Sequence, residues 1–123
     1  MALAAAQSNL DNGFYEASTN RAYYAIFYAA SGLLLTKGVK RKSHSGVLSE
    51  FRRLFVKPGL IEAEFSETYG DAMEARIDSD YLVPFQTDEV TSRLVMTDAQ
   101  KFVARCKDLL KELEAGYEND DRE

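Results

Sequence analysis

The amino-acid sequence predicts an all-α fold, an antiparallel up-and-down helical bundle of four main helices plus a shorter one. Three observations carry this. Only two prolines, Pro58 and Pro84, interrupt 123 residues, and proline is the strongest helix breaker. Alanine and leucine, the best helix formers, are abundant. Apolar residues recur at steps of three and four, with short breaks between the runs and no convincing strand.

Ala2 to Asn12 reads as a short first helix, stopped by Gly13, a natural left-handed cap. Phe14 to Lys37 reads as the long central helix, ended by Gly38. Its expected inner stripe is Phe14, Ala17, Arg21, Tyr24, Tyr28, Ser31 and Leu35. Between Ala22 and Ala30 it is apolar or aromatic at every position, which predicts cover on several sides.

Val39 to Ser43 is a basic loop, and Ser43 or Ser45 is placed to cap a third helix. That helix is expected to bury Val47, Leu48, Phe51, Leu54 and Phe55, and Lys57-Pro58-Gly59 ends it. A fourth helix is expected from about Glu62 to Tyr81, with the stripe Phe65, Tyr69, Met73, Arg76 and Asp80. Thr87 is the expected cap of the fifth, with Asp88 and Glu89 in its first turn. Its seam reads Val95, Ala99, Phe102, Cys106, Leu109 and Leu113. Residues 1–117 thus form one domain, followed by an acidic tail at 118–123.

The formal net charge is −5, and residues 118–123 hold four acids and one arginine. The body is close to balanced, whereas a protein that coats duplex nucleic acid should be more basic. One cysteine, Cys106, allows no internal disulfide, which fits a reducing cytoplasmic setting. The most apolar run, Ala22 to Leu35, is too short to span a bilayer and contains three tyrosines, so no membrane role is expected.

Charged residues on apolar stripes are the informative feature. Arg21 falls on the expected inner stripe of the central helix. Arg76 and Asp80 fall on that of the fourth, four residues apart and able to pair. Such charges build either a salt-bridge network between helices or an anion-binding cleft in which arginine meets phosphate. A second cluster, Lys40, Arg41, Lys42 and His44, stands before a helix N-terminus, where free amides attract anions; the alternative is a solvated loop with an ordinary cap.

One histidine and one cysteine leave no zinc-type cluster, so no metal is expected. No Walker-type GKS or GKT and no GxGxxG is present, so no cofactor is expected. Ser45-Gly46 lacks a nucleophile elbow. The run Tyr23, Tyr24, Phe27, Tyr28 can stack bases or fill a core.

Asn12-Gly13-Phe14-Tyr15-Glu16-Ala17 followed by Asn20-Arg21-Ala22-Tyr23-Tyr24-Ala25-Ile26-Phe27 closely resembles the HEPN domain family (higher eukaryotes and prokaryotes nucleotide-binding). Its small stand-alone prokaryotic members are the nearest branch. Lys42-Ser43-His44-Ser45-Gly46-Val47, Phe55-Val56-Lys57-Pro58-Gly59-Leu60 and Arg76-Ile77-Asp78-Ser79-Asp80-Tyr81 follow in the same order. The resemblance covers roughly residues 8 to 115. It implies a four-helix bundle with a shorter helix, frequent homodimers, and pairing with a minimal nucleotidyltransferase as toxin and antitoxin.

Some members are metal-independent ribonucleases with an arginine, a polar residue and, a few positions on, a histidine. Arg76 matches that arginine, but Asp80-Tyr81 stands where those enzymes carry histidine and often tyrosine. Cleavage needs proton transfer from the 2′-hydroxyl and stabilisation of the phosphorane. An unperturbed aspartate titrates near ~3.9 and repels phosphate when ionised. The expectation is therefore a non-catalytic nucleotide- or RNA-binding module, with a cleft at Arg21, Tyr24, Arg76, Asp80 and Tyr81. The alternative is a metal-independent endoribonuclease toxin, in which His44 would have to enter the same cleft.

Overall fold

The computed structural model describes residues 2–81 and 88–121, and the side chains of 2–75 and 88–116. Five α-helices follow in order: α1 (Ala2–Asp11), α2 (Tyr15–Leu35), α3 (His44–Phe51), α4 (Glu64–Tyr81) and α5 (Glu89–Asp121). No strand occurs among the described residues.

The breaks follow local chemistry. Gly13, Gly38 and Gly59 adopt positive φ (79°, 72° and 85°), a conformation glycine reaches without a Cβ penalty. Each closes the element before it, as the sequence predicts. Ser43 caps α3 by accepting the Gly46 amide at 2.9 Å. Asp88 caps α5 by accepting the Thr91 amide at 2.8 Å, so the cap is Asp88 where the sequence pointed to Thr87, which lies outside the described residues. The carboxylate gains from that amide, and its pKa is lowered.

Helix α3 runs on into one π-helical turn, Arg52–Val56, in which the Lys57 amide reaches back five residues to the Arg52 carbonyl at 2.8 Å. The chain then folds over Arg105. Its guanidinium holds Glu62 at 2.8 Å and the Leu60 carbonyl at 3.0 Å, tying the α3–α4 connection to α5.

α2 is the hub and packs against the other four helices. α5 runs beside it in the same direction: Tyr15 meets Glu89 and Ser92 at one end, and Ala29 and Gly32 share a groove with Cys106 and Leu110 at the other. The core joins Tyr23, Ile26 and Leu33 of α2 to Phe51 and Phe55, Tyr69 of α4, and Ala99, Phe102 and Leu109 of α5. Phe102 stands among Phe51, Phe65 and Tyr69, with ring centroids 5.4–6.3 Å apart. Each fully buried ring of this kind contributes about 1.5–3 kcal/mol through area removed from water.

The predicted seam of α5 is the buried one, as is that of α3. The predicted inner stripe of α2 is not. Phe14, Tyr28 and Leu35 are 61%, 58% and 54% exposed, and Ala17 and Arg21 are exposed as well. The buried face carries Ser18, Thr19, Ala22, Tyr23, Ala25, Ile26, Ala30, Leu33 and Leu34. Small residues turn inward because α1 approaches closely there, and the Ser18 hydroxyl donates to the Ala6 carbonyl at 2.8 Å. The bulkier rings of the opposite stripe turn outward.

Candidate functional site

His44 is the first residue of α3, and the fold turns it inward. Its ring stacks on Phe27 (4.5 Å, 22°) and on Tyr23 (5.3 Å, 18°), with Tyr24 edge-on at 5.7 Å. Its Nδ1 is hydrogen-bonded to the Tyr23 hydroxyl, and the Tyr69 hydroxyl donates to its carbonyl at 2.9 Å. Burial pushes the Tyr69 phenol well above the usual tyrosine range, the neighbouring Tyr23 adding to the effect. His44 thus sits in an aromatic cage closed by two tyrosine hydroxyls.

Lys40, Arg41 and Lys42 stay outside it, exposed on the loop before Ser43. Arg41 donates to the Lys40 carbonyl at 2.7 Å and lies 3.9 Å from Glu50. The cluster expected as one anion patch therefore splits, because a lysine ammonium keeps its hydration while an imidazole can be stacked and hydrogen-bonded out of water.

Beside the cage, α3, its π turn and α4 enclose an open groove of about 650 Å³. Arg52, Arg53 and Lys57 line it together with the hydroxyl-bearing Ser45, Ser49 and Ser66. Arg53 is paired with Glu50 at 2.6 Å, and this hydrogen bond lowers the Glu50 pKa. Arg52 and Lys57 make no ion pair among the described residues. The π turn is what brings these cations to one rim, and π turns recur at functional sites. Arginine, lysine and hydroxyl groups around an open trough suit a phosphate or another oxyanion.

The whole chain can now be set beside known proteins. The family model for the HEPN domain matches residues 1–114. The chain belongs to the HEPN domain family. Among its relatives, a UPF0332 protein of Thermotoga maritima is 38% identical over 106 residues, 85% of this chain and 79% of that one. Two Methanocaldococcus jannaschii proteins bear the name "putative toxin". One is 37% identical over 111 residues, 90% of this chain and 82% of its own length. The other is 32% identical over 106 residues, 85% and 72%.

The HEPN signature can then be followed onto the structure. Of the expected cleft, Arg21 is exposed on α2, correcting its placement on the inner stripe; a guanidinium is better solvated than buried unless it is paired. Tyr24 is half-buried against His44, Tyr23 and Tyr28. Arg76, Asp80 and Tyr81 belong to α4, and their side chains lie outside the described residues.

Two features of the site are not legible in the sequence. Tyr69 reads there as a core residue of the α4 stripe, with no sign that its hydroxyl meets His44. Nothing in the spacing of Arg52, Arg53 and Lys57 announces a π turn or a shared rim. Among the described residues no group of three or more His, Cys, Asp or Glu is placed to hold a metal ion. No helix among them is long and apolar enough to cross a membrane.

Proposed function

We propose that this HEPN protein is a non-catalytic module that takes an RNA or nucleotide phosphate in the groove between α3 and α4. The observation that supports it is the rim formed by Arg52, Arg53 and Lys57 over the hydroxyls of Ser45, Ser49 and Ser66. Met73 lines the same groove. Arg76 and Asp80 follow it in α4 at three and seven residues, positions of one helical stripe. Arg76, the match to the family's ribonuclease arginine, is the residue of α4 assigned to phosphate, although its side chain lies outside the described residues.

The non-catalytic part rests on His44, the only histidine. Its ring is stacked against Tyr23 and Phe27, and its Nδ1 is engaged. A general base must reach the proton it removes, and this Nδ1 already holds the Tyr23 hydroxyl. The relatives' toxin names and the resemblance to nucleotidyltransferase-linked members extend the proposal to a toxin–antitoxin-like pair with a nucleotidyltransferase.

Titration of a labelled short RNA and of ATP tests this reading. Wild type should bind, with a negative log–log salt slope. Arg52→Ala with Lys57→Ala should weaken binding and reduce the slope by roughly 0.7 for each single-strand phosphate that is no longer neutralised. No binding of either ligand at millimolar concentration would sink the phosphate reading. RNA cleavage by wild type in chelator, absent in Arg76→Ala, would replace the binding module with the endoribonuclease.

A further inference from the structure

The loop that leaves α2 folds back on it. Gly38 turns the chain at a φ of 72°, and the Val39 amide donates to the Leu34 carbonyl at 3.0 Å. Lys40, Arg41 and Lys42 are thereby set beside the last turns of α2. Loop and helix enclose an open pocket of about 440 Å³, walled on the helix side by Ser31, Leu34 and Leu35. That volume is in the range of small-molecule sites, about 300–1,000 Å³. The pocket shares no residue with the groove between α3 and α4.

Ser31 sets this pocket apart from a solvated loop. A serine inside a helix ordinarily bonds back to the carbonyl one turn earlier. The Ser31 hydroxyl oxygen is buried and has no hydrogen-bond partner among the described residues. Such a group is costly until something bonds to it, and it stands in the wall of a cavity rimmed by three cations. We propose that this pocket binds a phosphate monoester carrying a small apolar body. The proposal is independent of the phosphate reading of the α3–α4 groove.

The charge selects the phosphate. Three adjacent cations on a chain of net charge −5 concentrate positive potential at one mouth. Arg41 lies 3.9 Å from Glu50, whereas Lys40 and Lys42 make no ion pair among the described residues. A doubly charged phosphate ester offers oxygens to both ammonium groups and to the serine hydroxyl.

The wall selects the apolar body. Leu34, Leu35 and Val39 bring no polar side-chain atom to the pocket, and Leu35 is 54% exposed. An apolar group on the ester removes that area from water. Inorganic phosphate leaves it wet, and a nucleotide sets the polar edges of its base against it, which is unfavourable.

Titration calorimetry of the full chain with naphthyl phosphate, beside naphthol, inorganic phosphate and AMP, tests the pocket. Naphthyl phosphate should bind roughly tenfold or more tightly than each of the other three. It should shift the backbone amide NMR signals of Ser31 and of Val39 to Lys42. Lys40→Ala with Lys42→Ala should abolish binding and leave helicity unchanged, since both side chains are exposed.

Ser31→Ala separates a ligand-binding serine from a merely structural one. It should raise the Tm of the free protein, because the unpaired hydroxyl is gone, and weaken naphthyl phosphate roughly tenfold. A structural serine would move only the Tm. The proposal is overturned if millimolar naphthyl phosphate does not bind, if the amide shifts centre on Arg52 to Lys57 instead, or if Ser31→Ala leaves the affinity unchanged. It is overturned equally if any of the three comparison ligands binds as tightly.

Discussion

The phenol of Tyr23 and the imidazole of His44 are joined twice, by a hydrogen bond to Nδ1 and by ring stacking at 5.3 Å. This relationship ties the start of α3 to the centre of α2. It holds the only histidine against the core. Tyr23→Phe keeps the stack and removes the bond. Its unfolding free energy in urea should fall by about 1–2 kcal/mol, with helicity unchanged.

Phe102 stands where three aromatic residues from α3 and α4 converge on α5. Phe102→Ala leaves a cavity that the stiff helices around it can only partly close. The expected loss is about 3–5 kcal/mol, measured by chemical denaturation. A loss under about 1 kcal/mol would mean that the aromatic cluster repacks freely.

Thr19 is fully buried, and its hydroxyl has no hydrogen-bond partner among the described residues. Valine has nearly the same shape without the polar atom. Thr19→Val should therefore raise stability, by about 1 kcal/mol, seen as a higher urea midpoint. A lower midpoint would show that the hydroxyl finds a partner in solution.

Asp88 predicts a pH dependence. The Thr91 amide lowers its pKa in the fold, so the folded state favours the carboxylate. Its stabilisation is complete well above the unfolded value of about 3.9 and fades as pH falls through the lower folded pKa. Asp88→Ala should lower Tm at neutral pH, and the gap to wild type should close in acid. A gap that is constant with pH would remove the cap from the account.

Cys106 is buried in the α5 seam, and burial pushes its thiol pKa up to about 12. The thiolate is the reactive form. An aromatic disulfide reagent at pH 8 should leave the native protein unmodified and label it fully in denaturant. Rapid labelling of the native state would mean that the groove between α2 and α5 beside it opens readily.

The sequence by itself determined the helical class, the order of the helices, their glycine stops and the core seams of α3 and α5. Those features rest on local chemistry: backbone freedom at Gly13, Gly38 and Gly59, a serine hydroxyl beside free amides, and one clear apolar face per helix. The family, too, was legible in the order of its blocks. Tertiary structure alone decided which side of α2 faces inward. That helix is apolar nearly all round, so its periodicity offered a stripe of large residues. Close approach of α1 demanded small ones, and Ser18, Thr19 and Ala22 went in while Phe14, Arg21 and Tyr28 went out. The same holds for the candidate site. His44 and Lys42 are two residues apart in sequence, yet one enters an aromatic cage and the other stays in water, because only packing from α2 and α4 supplies the rings and hydroxyls that replace the histidine's hydration.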